Sequence, residues 1–139
     1  MIVDGKGLVL GRVASLVAKK ALGGETVDVI NAEQLVISGA KKDVFKQYKE
    51  KGEKGNAYHG VFLQKMPDRF AKRTMRGMLP YKKERGMKAY RRIKCHIGVP
   101  ANLKGKEAQT FESINMAKFK TMKFTAVKEL CFLLGGIVK

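Results

Sequence analysis

The chain has no tryptophan, three prolines, two cysteines, two histidines and only 12 acidic residues in 139. Each scarcity excludes something. Cys95 and Cys131 lie far apart, with no CxxC and no framework of paired cysteines, so they read as buried or partly buried thiols of a reducing compartment. Neither His59 nor His96 stands at a metal-ligand spacing from a cysteine, so no structural metal site is expected. No apolar run approaches the roughly twenty residues of a membrane span. Met1 leads straight into a strand-like segment rather than a leader peptide, and the chain reads as soluble and cytoplasmic. Catalysis calls for a nucleophile beside an oriented base, or for carboxylates in contrasting environments. With so few acids, most set among lysines, no such arrangement converges, and no catalytic residue is expected.

Positive charge is what the chain does have. Its formal net charge is +17 and its pI about 10.1. Residues 41–94 carry 18 Lys and Arg against 5 Asp and Glu, and the other 85 residues supply only four of the net charges. A domain this basic most often meets a nucleic acid. A membrane surface fits less well, because no basic helix carries the aromatic-rich apolar face of an interfacial anchor.

The charge peaks between Pro67 and Lys94. Arg69, Lys72, Arg73 and Arg76 recur at helical spacing on one side, while Phe70, Ala71, Thr74, Met75 and Met78 fall on the other. Pro67 suits a first helical position, Asp68 complements the helix dipole, and Gly77 and Pro80 stop the helix. Lys82, Lys83, Arg85, Lys88, Arg91, Arg92 and Lys94 follow within one short span. Only Asp68 and Glu84 oppose these eleven cations. A solvated face normally mixes its signs, so the run calls for a polyanion.

The remainder reads as scaffold. Strand, helix and strand over Ile2–Asp4, Leu10–Leu22 and Thr26–Ile30 form a βαβ unit with a right-handed crossover. Leu35–Ile37 is a further strand candidate, and Lys41–Lys51 a helix with Val44, Phe45 and Tyr48 inward. In the polar loop from Gly52 to Gly60, Tyr58 and His59 could stack on or bond an exposed base, or serve as ordinary loop anchors. A second short helix ends near Tyr90, and Ile93, Cys95 and Ile97 alternate as a strand. Thr125 is the expected N-cap of a last helix lined by Val127, Leu130, Cys131 and Leu134. Length predicts one domain: a βαβ scaffold over 1–40, a basic half over 41–98, and a loop and helix over 99–139.

Gly5, Gly7 and Gly11 stand between strand and helix, where a dinucleotide fingerprint would lie. They are one residue too widely spaced for GxGxxG, no GK precedes Ser or Thr, and Glu33 is a loose match for the acidic partner. A tight turn is the simpler reading, and no cofactor or small-molecule substrate is expected. Arg12, at the helix start, could still touch a phosphate.

Several stretches resemble one family. Arg76-Gly-Met-Leu-Pro80, Lys82-Lys83, Arg85-Gly86, Ala89 and Arg92-Ile-Lys94 before Gly98 are similar, in order and spacing, to the central motif of the ribosomal protein L-thirteen family. Val3-Asp4, Leu10-Gly-Arg-Val-Ala-Ser15, Val17-Ala-Lys19, Val29-Ile-Asn-Ala32 and Ile37-Ser-Gly39 extend the likeness through the N-terminal half. It covers residues 1 to about 98 and is weak beyond Pro100. Val61 after Gly60, where many members carry proline, and Cys95-His96, where Val-Tyr is usual, depart from the pattern. Beginning almost at the first strand, the chain looks most like an archaeal form.

The resemblance implies an α/β fold of three layers, α/β/α, around a mostly parallel four-stranded sheet. It also implies a structural constituent of the large ribosomal subunit that binds large-subunit rRNA early in assembly, beside neighbouring ribosomal proteins. The expected RNA-binding residues are Arg12, Arg69, Lys72, Arg73, Arg76, Lys82, Lys83, Arg85, Lys88, Arg91, Arg92 and Lys94, with Tyr58 and His59 as further candidates. Gly77 and Pro80 would set the turn, and Met78 and Leu79 would belong to the core. A free-standing RNA-binding regulator is the alternative.

Overall fold

A computed structural model of the chain describes residues 1–56, 58–119 and 123–136. The βαβ unit forms as its periodicities require. Strand β1 (Ile2–Asp4) leads through a glycine turn to helix α1 (Leu10–Leu22), which returns the chain to β2 (Val27–Ile30). β1 and β2 pair in parallel, Val3 opposite Val29. The buried residues of α1, Leu10, Val13, Ala14, Val17, Ala18 and Ala21, recur at three and four and make one apolar stripe. Helix α2 (Lys41–Glu53) follows strand β3 (Val36–Ser38), burying Val44 and half-burying Phe45 and Tyr48.

The basic segment forms α3 (Pro67–Gly77) and α4 (Glu84–Arg91), separated by the turn through Leu79 and Pro80. Phe70, Ala71 and Met75 bury the inner side of α3 against α1 and against β4 (Ile93–Cys95). α4 packs on α1, and Ala89 is fully buried. β4 then pairs in parallel with β2, Ile93 opposite Val27.

Among the described residues the parallel sheet has three strands, ordered β1-β2-β4, where four were expected. β3 instead forms a separate antiparallel ribbon with β5 (Phe124–Ala126). Only residues 31–35 lie between β2 and β3, too few for the crossover that a parallel neighbour of β2 needs. A single parallel bridge, Val36 to Val9, joins β3 to the start of α1. Mixed α/β architecture is therefore present, with a smaller parallel sheet than the expected four-stranded one.

Three local expectations are corrected. Thr125 is not an N-cap: it lies within β5, fully buried, with its hydroxyl donating to the Gly39 carbonyl at 3.3 Å, and α5 (Val127–Leu133) begins after Ala126. β4 ends at Cys95, leaving Ile97 exposed. Met78 is exposed while Leu79 is buried, because α3 ends at Gly77 and the next residues no longer follow the helical face.

Candidate nucleic-acid interface

Four of the expected cations converge. Arg69, Lys72, Arg73 and Arg76, all on the outer side of α3, line one concavity of about 210 Å³ with Gln64 and Tyr90. Neighbouring groups hold three of them. The Arg73 guanidinium donates to the Phe62 carbonyl, the Lys72 ammonium lies 4.9 Å from the Tyr90 ring centroid, and the Arg76 guanidinium lies 5.0 Å from that of Tyr81. An aromatic face orders a cation without neutralising it. The result is a cleft lined by four positive charges, three of them held in place, a shape suited to phosphate oxygens.

A second concavity lies where the end of α1 meets α4. Arg85, Lys88 and Arg92 line it with Glu84, Leu22, Gly23 and Gly24. Its charge is partly balanced, since Lys88 pairs with Glu84 one turn earlier at 2.6 Å. Arg92 is half-buried and donates to the Ala21 carbonyl at 3.3 Å, so it also closes the end of α1. Lys82 and Lys83 stand exposed in the turn before α4, with the Lys83 N–H donating to the Pro80 carbonyl. Arg91 is exposed at the end of α4, and Lys94 is exposed at the middle of β4.

The remaining candidates lie outside both concavities. Arg12 is exposed on α1, its guanidinium 4.2 Å from the Phe119 ring centroid. Tyr58 and His59 are exposed on the loop after α2, and Tyr58 is 86% exposed. Asn56 shapes that loop by accepting from both of their backbone N–H groups, at 3.2 and 2.7 Å. The pattern of cations did not reveal Gln64 or Phe62. Neither is charged, and both lie in an irregular run from 61 to 66 without helical or strand period. Tyr90, read only as the end of a helix, turns out to be the aromatic wall under Lys72.

The cysteines are free, Cys95 half-buried and Cys131 buried. Burial pushes both thiols up to about 12, with nearby Asp68 adding to the rise in each and Lys72 opposing it at Cys95. Among the described residues no group of three or more His, Cys, Asp and Glu could hold a metal ion. No described helix is long and apolar enough to cross a membrane.

The family model described as Ribosomal protein L13 matches residues 1–102. The chain belongs to the ribosomal protein L13 family. It is 43% identical over 135 residues to the large ribosomal subunit protein uL13 of Archaeoglobus fulgidus, an alignment covering 96% of this chain and 86% of that protein. The uL13 of Methanosarcina barkeri is 42% identical over 136 residues, covering 97% of each. That of Haloarcula marismortui is 38% identical over 136 residues, covering 98% of this chain and 91% of the relative. These alignments run well past residue 102, so the likeness to archaeal relatives extends into the C-terminal third, beyond the residues that the family model matches.

Proposed function

We propose that the chain is a structural, non-catalytic constituent of the large ribosomal subunit in the cytoplasm. It holds large-subunit rRNA on the basic surface of α3 and α4 during early subunit assembly. The observation that carries this is the convergence of Arg69, Lys72, Arg73 and Arg76 on one cleft in a chain of this family. A-form RNA hides the base edges of its major groove, so phosphates, 2′-hydroxyls and shape are what such a surface can read. The cleft and the α1–α4 concavity give two separate lodgements for backbone. Lys82, Lys83, Arg91 and Lys94 lie exposed for further phosphate contact, and Arg12 could reach a strand on the side of α1. Neighbouring ribosomal proteins would cover part of the surface that remains.

Filter binding tests the proposal. Large-subunit rRNA fragments and scrambled RNA of equal length are titrated across a salt series with the parent chain and the Arg73→Ala/Arg76→Ala variant. One fragment should bind orders of magnitude tighter than scrambled RNA, and the variant should lose most of that preference. With about eight phosphates neutralised, log affinity should fall against log salt with a slope of roughly −6 to −7. Equal binding of all RNAs would reduce the surface to electrostatic attraction. A specific target away from the large subunit would favour a free-standing regulator.

A further inference from the structure

A concavity of about 220 Å³ adjoins the cationic cleft. Tyr48, Lys51, Val61, Leu63, Gln64, Phe70, Arg73 and Thr74 line it. Gln64 and Arg73 line both sites, so the two concavities share a wall. The two differ in chemistry. The first is walled by guanidinium and ammonium groups. The second is walled mainly by two rings and two aliphatic side chains, with polar groups at few points. The Tyr48 and Phe70 rings meet with centroids 5.2 Å apart and planes inclined at 55°, giving a firm aromatic corner. The Thr74 hydroxyl is already engaged with the Phe70 carbonyl at 3.2 Å.

We infer that this second concavity receives an unpaired RNA base whose backbone phosphate lies in the adjoining cationic cleft. The inference rests on the rRNA-binding reading above and deepens it. An apolar hollow beside a cationic groove suits a nucleotide, whose parts are a flat apolar face and an anionic backbone. Gln64, at the junction, offers an amide donor and acceptor of the kind that pairs with a base edge. Lys51, its ammonium 5.0 Å from the Tyr48 ring centroid, places a cation on the far rim. Arg73 fixes the relation of the two halves by holding the Phe62 carbonyl, and with it the segment that carries Val61, Leu63 and Gln64. The arrangement reads a base that has left the helical stack, which a purely electrostatic surface cannot do.

The test uses archaeal large-subunit rRNA substituted with 4-thiouridine, bound to the full chain and irradiated, with crosslinked peptides identified by mass spectrometry. Thiouridine bases should crosslink to peptides carrying Tyr48, Val61 to Gln64 or Phe70. Alongside, Val61→Phe fills the mouth of the concavity from an exposed position, and its fold is checked by circular dichroism. It should bind this rRNA about tenfold more weakly, in line with the loss of one stacked base, with the salt slope unchanged because no phosphate contact is removed. Crosslinks confined to other peptides, or parental affinity in Val61→Phe, would overturn the base pocket while specific rRNA binding, still sensitive to Arg73→Ala/Arg76→Ala, left the function standing. No preference for large-subunit rRNA in the parent chain would overturn both.

Discussion

Arg92 donates from Nη1 to the carbonyl oxygen of Ala21, 3.3 Å away and 71 positions earlier in the chain. The contact places a positive charge at the negative end of α1 and gives a second donor to a carbonyl that already accepts from the Gly24 N–H at 3.1 Å. Arg92 therefore carries structure, whereas Arg91 beside it is exposed at the end of α4. Arg92→Ala should lower stability by about 1 kcal/mol, since the group is half-buried and partly screened. Arg91→Ala should stay within about 0.5 kcal/mol of the parent. Urea denaturation of the two variants decides it, and equal stabilities would make the Arg92 contact incidental.

Gly86 should be intolerant of any side chain. A methyl group there would stand 2.1 Å from the Pro80 carbonyl oxygen, so α4 rests directly on the backbone of the turn that follows α3. Backbone cannot swing aside as a long side chain can. Gly86→Ala should cost about 2 kcal/mol or more by displacing α4. Because Arg85 and Lys88 move with α4, rRNA affinity should fall although no charge is removed. Unchanged melting and affinity would mean that the two helices are not held in register by this contact.

Helices α1 and α3 were legible in the sequence to within a residue, because each shows a strong apolar stripe and a clear stop. The four cations of the cleft were legible for the same reason, since helical spacing alone puts Arg69, Lys72, Arg73 and Arg76 on one side. What failed had no periodic signal. Thr125 looks like an N-cap in sequence, yet three residues of β5 with a partner 86 positions away leave too short a pattern to reveal a strand. The fourth strand of the expected sheet was lost because loop length, not strand composition, decides where β3 can pair. Gln64 carries no charge and lies in an aperiodic run, so only the folded chain shows that it lines both concavities.

Both thiols should be inert in the folded protein. With each pushed up to about 12 by burial, only about one in ten thousand is thiolate at pH 8, and access is limited as well. Iodoacetamide at pH 8 should label neither cysteine in minutes, and both at once in guanidinium. The same shift sets a direction for stability. An unfolded thiol loses its proton near pH 8.5, whereas the folded chain retains both up to about 12. Between those values the unfolded state binds fewer protons, so each cysteine lowers stability as pH rises through that window. Urea denaturation from pH 8 to 10.5 should show the parent losing stability relative to Cys95→Ala/Cys131→Ala. Parallel pH profiles would contradict the assignment.

Asn31 joins the ends of three strands. It is the one described non-glycine residue with positive φ, at φ 53° and ψ 42°, and its Nδ2 donates to Asp4 Oδ1 at 2.8 Å. Its backbone N–H donates to the Gly98 carbonyl at 3.0 Å, just beyond β4. Asparagine tolerates this left-handed conformation better than alanine does, and its side chain adds the bond to Asp4. Asn31→Gly keeps the conformation but loses the side-chain bond and gains freedom in the unfolded chain, a cost of about 1 kcal/mol. Asn31→Ala loses the same bond and adds strain at the backbone, bringing the total to about 2 kcal/mol. The ranking by chemical denaturation should be parent, glycine, alanine. If alanine matched or exceeded glycine, the turn after β2 would not be governed by the left-handed residue, and the side-chain bond to Asp4 would be left as the reason for asparagine at this position.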